Sequence, residues 1–300
     1  MARDLRARGR LALTWRRRQN AGMRVIAHRG FRGYYPENTM SAFAASLGCS
    51  HMVELDVRLS LDDQVVVFHD DTLERCSNAT TLGPQLGLES SRVDQWRLDQ
   101  LHLLDLGDWF YSRQRSADQD LIPVTTESLS LPYRPTTREL LPTLAATLAW
   151  AKAYQMPLNV ELKDQGSENR NDRLVRQVVR RIVAADCTEL VLLSSFNYAM
   201  LLQCRGLAPF ISRAVLYGDK GPPDLLDLLA AVDACACHPE HSGLDAELVR
   251  HLQLNGYAVH AWTVNERERW QYLQQCGVNG LITDFPCLKR IGKEKMLVHR

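Results

Sequence analysis

Met52-Val53-Glu54-Leu55-Asp56-Val57-Arg58-Leu59 alternates apolar and charged residues without a break. Side chains on a strand point to opposite faces with a period of two. Glu54, Asp56 and Arg58 therefore share one face, and Val53, Leu55, Val57 and Leu59 the other. A charged strand face ordinarily means a face in water. However, Leu158–Lys163 repeats the pattern, with Asn159, Glu161 and Lys163 alternating against Leu158, Val160 and Leu162. Strands of a parallel sheet are covered on both faces and have no watery side. The apolar sets then face a layer of helices, and the charged sets face inward.

Further strand signals lie at Arg24–His28, Leu190–Ser195, Ser212–Leu216, Ala234–His238, Ala258–Val264 and Gly280–Thr283, which brings the total to eight. A ninth run, Gln64–His69, follows Leu59 after a turn at Asp62 and Asp63. So short a link permits a hairpin and no parallel crossover. Helical runs separate the strands. Asn38 is the expected cap of a run with Met40, Phe43 and Leu47 on one face. Asp172–Cys187 gathers Leu174, Val175, Val178, Val179, Ile182 and Val183 at helical spacing, and Arg173, Arg176, Arg180 and Arg181 outside them. Leu225–Val232, Leu244–Leu252 and Glu266–Cys276 complete the series. Eight β-α units in about 280 residues suit a closed (β/α)8 TIM barrel, and no glycine-rich dinucleotide fingerprint supports an open doubly wound sheet. The rhythm lapses between about residues 71 and 141. A helical stretch near Val93–Leu104 and a polar piece with Pro123, Pro132 and Pro135 are expected there, as a cap inserted after a strand end.

The division expected is a basic tail, residues 1–22, and a barrel domain, residues 23–300. The tail carries seven Arg against Asp4, so it is +6 in a chain whose formal charge is +1. It reads as a disordered extension, since Met23 opens the first strand directly. The near-zero total points away from nucleic acid as a partner. No apolar run of about 18 residues predicts membrane insertion. Eight scattered cysteines, with only C-x-C at Cys235 and Cys237, lack zinc spacing. They predict reduced thiols and a cytoplasmic protein.

The inward carboxylates carry the chemistry. Two unit charges about 4 Å apart repel by roughly 4 kcal/mol at an effective dielectric near 20. Glu54, Asp56 and Glu161 together therefore call for protons or cations. Lys163 supplies one charge, and a hard divalent ion with all-oxygen ligands, Mg²⁺ or Ca²⁺, would supply the rest. His28 and His69 end their strands at the same rim and form a candidate acid/base pair. Arg29 adds a guanidinium fork suited to a phosphate.

Seven ordered segments resemble the glycerophosphodiester phosphodiesterases, with cytosolic bacterial members the nearest in kind. They are H-R-G-F-R-G-Y-Y-P-E-N-T from His28, E-L-D from Glu54, H-D-D-T-L-E-R-C-S-N from His69, V-E-L-K from Val160, S-S-F from Ser194, A-W-T-V-N from Ala261 and L-I-T-D-F-P from Leu281. The resemblance implies a hydrolase of glycerol and lipid metabolism that binds one divalent cation at Glu54, Asp56 and Glu161. It implies catalysis by His28 and His69, phosphate contacts from Arg29 and Lys163, and pocket walls at Phe196 and Trp262. Glu37 is expected to brace the rim. The family's G-x-W-F is present at Gly107–Phe110, but P-T-L comes late, at Pro142–Leu144, so the cap departs from the usual pattern.

The expected reaction converts a small glycerophosphodiester into glycerol 3-phosphate and an alcohol, by attack of the neighbouring glycerol hydroxyl through a cyclic phosphate. A phospholipase C-like or lysophospholipase D-like enzyme would need an apolar, membrane-facing rim. A degenerate binding module would have lost a ligand or a histidine, and the set is complete. A metal-dependent barrel isomerase or aldolase would account for the carboxylates and not for the ordered motifs.

Overall fold

The structure is a computed structural model and describes residues 22–116, 138–218 and 220–289. The tail before Gly22 and the second half of the expected cap, including Pro123, Pro132 and Pro135, lie outside the described residues. Nine strands are present: β1 (Arg24–Ala27), β2 (Met52–Leu59), β3 (Val65–Val67), β4 (Leu158–Leu162), β5 (Val191–Ser195), β6 (Ser212–Tyr217), β7 (Ala236–Pro239), β8 (Ala258–Ala261) and β9 (Gly280–Thr283). Eight of them pair in parallel in the order β1-β9-β8-β7-β6-β5-β4-β2. β2 then pairs with β1 through Ile26–Met52 and Ala27–Val53, which closes a TIM barrel. β3 lies antiparallel on the far end of β2, with Val67 opposite Val57.

Helices fill the connections: α1 (Met40–Ala45), α2 (Ala79–Gln85), α3 (Leu98–Leu101), α4 (Asp108–Ser116), α5 (Leu144–Tyr154), α6 (Glu168–Ala184), α7 (Tyr198–Leu207), α8 (Leu225–Ala231), α9 (Ala246–Leu254) and α10 (Arg267–Gln275). α6 illustrates why they form where they do. The Ser167 side chain accepts the Arg170 N–H at its start, and Leu174, Val175, Val178 and Ile182 are buried along one stripe. Each such side chain contributes roughly 1.5–3 kcal/mol on burial. The stripe packs on the outward apolar sets of β2 and β4, including Val53, Leu55, Val57, Val160 and Leu162. Among the described residues no helix is long and apolar enough to cross a membrane.

Inside the barrel, Ile26, Met52, Leu192, Ala214, Ala236, Ala258 and Ile282 form an apolar cluster. Buried polar side chains share the interior with them: Glu54, Asp56, Asn159, Glu161, Ser194, His238 and His260. His238 and His260 contact each other at 3.0 Å between Nε2 and Nδ1. Burial lowers the pKa of both, to about 3 for His238, so this pair is neutral.

Several sequence expectations shift. The barrel strands stop short: β1 ends at Ala27, β3 at Val67, β4 at Leu162 and β8 at Ala261. His28, His69, Lys163 and Trp262 therefore stand one or two residues beyond strand ends, where the ladder gives way to loops. Asn38 does not cap α1. It sits at a positive φ of 57°, and Thr39, in extended conformation, accepts the Ala42 N–H instead. The helix expected near Val93–Leu104 is broken. A 3-10 turn at Val93–Gln95 ends where Trp96 turns extended, is buried, and donates its indole N–H to Ser90 O at 2.7 Å. Helices α5 and α7 complete β-α units that the sequence reading left without one. Finally, Cys49 and Cys287 are joined in a disulfide, with Cα atoms 5.0 Å apart across a sequence separation of 238. This departs from the expected set of reduced thiols, and no local pattern links residues so distant. The other six cysteines are free.

The turn after β1 sets the position of everything that follows. Gly30 has φ +81°, and a Cβ there would lie 2.7 Å from the carbonyl carbon and the Cβ of Ala42 in α1. Both the backbone and the space demand glycine. Gly30→Ala is expected to lower stability by about 1–3 kcal/mol, the usual cost of overpacking. Denaturant unfolding measures it, and an unchanged midpoint would mean that the turn relaxes away from α1.

Candidate metal and phosphate site

Strand register builds the acidic cluster. Asp56 is the direct parallel partner of Glu161, and Glu54 that of Asn159. Neighbouring strands lie about 4.8 Å apart, so inward carboxylates at these positions converge. Ligand oxygens of Glu54, Asp56 and Glu161 lie within 4.8 Å of one another, and all three residues are buried. Burial, then Asp56 and Glu161, push Glu54 well above the usual carboxylate range. Burial and Asp56 raise Glu161 as well. Burial would raise Asp56 too, but Arg29 and Lys163 outweigh it and hold this carboxyl at about 2.

The cluster fits a hard divalent cation. Asp56 Oδ1 is buried without a hydrogen-bond partner, an arrangement that is costly unless an ion or water satisfies it. Two oxygens on opposite sides of Ca²⁺ stand about 4.6–5.2 Å apart, and somewhat less around Mg²⁺, given their bond lengths. The observed spread matches that scale, and the donors are all oxygen.

Cationic and amide groups frame the carboxylates. Lys163 Nζ is 2.6 Å from Glu161 Oε1 and 3.7 Å from Asp56 Oδ1. Burial works against its charge, yet these two carboxylates raise its pKa. Arg29 donates its backbone N–H to Glu54 Oε2 at 2.9 Å and places Nε 3.3 Å from Asp56 Oδ2. Asn38 donates Nδ2–H to Asp56 Oδ2 at 2.9 Å and accepts the Asp56 N–H at 3.3 Å. The positive φ that removes Asn38 from the helix cap thus serves Asp56.

Each histidine is braced by a carboxylate at Nδ1. His28 meets Asp284 Oδ1 at 2.7 Å, and His69 meets Asp70 Oδ1 at 2.5 Å. Burial would raise Asp284, but the His28 hydrogen bond holds it at about 2, so it is an anionic acceptor. Neutral His28 then carries its proton on Nδ1 and presents a bare Nε2. Its pKa is lowered, by burial first and by Arg29 against the Asp284 bond. His28, Arg29, Glu54, His69, Glu161 and Lys163 line one cavity of about 180 Å³. Phe196 and Trp262 also line it, ring against ring at 5.5 Å and nearly perpendicular. Trp262 is fixed by its indole N–H, donated to His238 O at 2.8 Å. All nine residues singled out from sequence are thus on or within this cluster. A wider cleft of about 540 Å³ beside α8 and α9 is lined by none of them.

Sequence reasoning left the supporting residues without roles. Asp284, Asp70, Arg32 and Arg75 all fall inside the segments that carry the family resemblance. Asp284 and Asp70 lie within three residues of a strand end and Arg32 and Arg75 deeper in loops, and neither position says what the side chain touches. Asn265 also went unassigned. It donates to Asp284 Oδ2 at 2.8 Å. Arg58, read as part of the inward charged face, instead donates Nε–H to His69 O at 2.8 Å and Nη1–H to Asp164 O at 3.1 Å. It ties the loop of His69 to that of Lys163.

Burial, Asp56 and Glu161 disfavour charge on Glu54 when no cation is bound, and a glutamine keeps its size without that charge. Glu54→Gln is therefore expected to leave thermal stability in chelator almost unchanged. Added Mg²⁺ or Ca²⁺ should raise the Tm of the parent protein, because a ligand bound only by the folded state stabilises it, and that rise should vanish in the variant. A variant that keeps the full rise would remove Glu54 from the ion's ligands.

Comparison with known proteins agrees with this geometry. Residues 28–288 match the model of the glycerophosphoryl diester phosphodiesterase family. YhdW of Bacillus subtilis (strain 168) is 30% identical over 269 residues, covering 88% of this chain and 95% of the relative. The glycerophosphodiester phosphodiesterase of Bacillus altitudinis is 29% identical over 267 residues, covering 88% and 95%. Among solved structures, a phosphodiesterase of Oleispira antarctica in complex with the product sn-glycerol-3-phosphate superposes with a TM-score of 0.71 at 27% identity. The match covers 88% of this chain and 93% of that one. The match spans both histidines, the three carboxylates and the cavity walls, and this chain belongs to the glycerophosphoryl diester phosphodiesterase family.

Proposed function

We propose that this chain hydrolyses water-soluble glycerophosphodiesters to glycerol 3-phosphate and the free alcohol, with Mg²⁺ or Ca²⁺ bound by Glu54, Asp56 and Glu161. One observation carries the reading: two carboxylate-braced imidazoles line the same cavity as a buried acidic cluster and two cationic side chains. A divalent ion there supplies positive charge against the charge that builds on the phosphoryl oxygens. Arg29 and Lys163 orient the phosphodiester and share that load. Phe196 and Trp262 wall the pocket. The substrate is a small molecule, and neither nucleic acid nor an embedded lipid is called for. A cytoplasmic location is part of the proposal and rests on the six free thiols. The Cys49–Cys287 bond argues instead for an oxidising compartment.

Proton traffic follows from the imidazole environments. His28, held neutral with a bare Nε2, takes the proton from the glycerol hydroxyl next to the ester. That oxygen bonds to phosphorus as the bond to the alcohol oxygen breaks, and His69 gives the alcohol its proton. Water then opens the cyclic phosphate with the two roles reversed.

A base must be unprotonated, so activity falls as pH drops through the His28 pKa, which lies below its ordinary value near 6.5. The acid limb of kcat/KM is expected below that pH. His28→Ala and His69→Ala should each lose about 10²–10⁴ in turnover, and wild-type turnover in either variant would take that residue out of the reaction. Glycerophosphocholine and its 2-deoxy analogue, compared under saturating metal, test the nucleophile. The analogue should react far more slowly. Equal turnover would mean that water attacks phosphorus directly.

A further inference from the structure

The buried residue with the most ionic partners in the described chain touches neither the carboxylate cluster nor a histidine. Glu37, 4% exposed, lies in the loop between β1 and α1. Its Oε1 accepts from Arg29 Nη1 at 2.7 Å and from Arg75 Nη2 at 2.8 Å. Its Oε2 accepts from Arg32 Nε at 2.8 Å and from Arg75 Nη1 at 2.9 Å. A carboxylate has about four lone-pair sites, and three guanidinium groups occupy them all.

Each guanidinium continues to a different part of the site. Arg32 Nη1 reaches Asp284 at 3.2 Å, and Asp284 holds His28. Arg75 grips Asp70 through Nε at 2.6 Å and Nη2 at 3.0 Å, and Asp70 holds His69. Arg29 lies against Asp56. The two histidines come from separate strand ends, and no hydrogen bond is recorded between them. The shared anchor of their braces is this one side chain.

We infer that Glu37 is a positioning residue that sets His28 and His69 together, through the arms Arg32–Asp284 and Arg75–Asp70. The inference rests on the acid–base reading above. A surface ion-pair network would contribute little to geometry. Here the central acid is buried, every bond is charge-assisted, and the fork from Arg75 is bidentate. Catalytic side chains must be held to within a fraction of an ångström, and their supports decide whether they are. A glutamine at position 37 offers one acceptor oxygen and turns two donor hydrogens toward arginines, so it satisfies at most half of the present bonds.

Leaving-group chemistry separates positioning from bulk stability. The choline ester needs a proton on its departing oxygen, whereas p-nitrophenolate leaves without one. Arg75→Ala loosens only the His69 arm, so it should cut turnover of glycerophosphocholine by about 10² and largely spare the p-nitrophenyl ester of glycerol phosphate. Arg32→Ala loosens the His28 arm and should slow both esters alike. Glu37→Gln should slow both, the choline ester more, and adding either arginine change to it should cost little further, because residues of one network are not additive. Arg32 and Arg75 have 31% and 36% of their side chains exposed, so their variants keep the test open should Glu37→Gln fold poorly. The inference is overturned if Glu37→Gln turns over both esters like the parent, if the losses simply multiply, or if both arginine variants slow both esters equally. If His28→Ala and His69→Ala are themselves fully active, it is the acid–base reading that has failed.

Discussion

Barrel closure leaves an inward side chain nowhere to meet bulk water, and the site follows from that constraint. Met52–Leu59 could not bury Val53, Leu55, Val57 and Leu59 against helices without turning Glu54 and Asp56 inward. Parallel register then sets Asp56 beside Glu161. Three carboxylates in one dry volume are tolerable only with compensation, and every neighbour supplies some: Lys163 at Glu161, the Arg29 backbone and side chain at Glu54 and Asp56, and the Asn38 amide at Asp56. Asp56 Oδ1 is left buried without a hydrogen-bond partner. The apolar cluster of Ile26, Met52 and Leu192 is buried in the same barrel.

The same constraint explains what the sequence made legible. Alternation along β2 and β4 is a property of the residues themselves, so the inward set could be read directly, and with it the carboxylates that cluster. Eight strands and a hairpin could be counted because each is a short apolar run between breakers. Helix ends and loops were less readable. Asn38 has the chemistry of a helix cap, and only the chain's turn at positive φ reveals that its amide is committed to Asp56. Trp96 sits in a helical pattern, yet burying its ring broke the helix. Asp284 needed the third dimension, since the fold brings His28 to it from 256 positions away, whereas Asp70 directly follows His69 and only its contact was hidden. Glu37 was expected to brace the rim, but its three arginines come from the loops after β1 and β3, and no spacing rule joins them.

The two histidines and the three carboxylates differ in how they are held. Glu54, Asp56 and Glu161 ride on strands fixed by backbone hydrogen bonds on both sides. His28 and His69 stand just past the strand ends, although the His28 N–H still donates to Thr283 O at 2.9 Å. Side-chain bonds take over there, through Asp284 and Asp70, with Arg58 gripping the His69 carbonyl. Rigid strands carry the carboxylate cluster, and a polar network carries the two imidazoles.

The bond between Cys49 and Cys287 changes the connectivity of the polymer. Across a sequence separation of 238, strands β2 to β9 fall within one covalent ring, and β1 lies on the segment that precedes it. On a chain-entropy account a loop of this size removes about 5 kcal/mol of freedom from the unfolded ensemble. The last strand, β9, has no free end while the bond holds, whereas β1 precedes Cys49 and keeps one. A protease cut anywhere between those cysteines would leave one covalent molecule with new ends, in effect a circular permutant made from the native sequence.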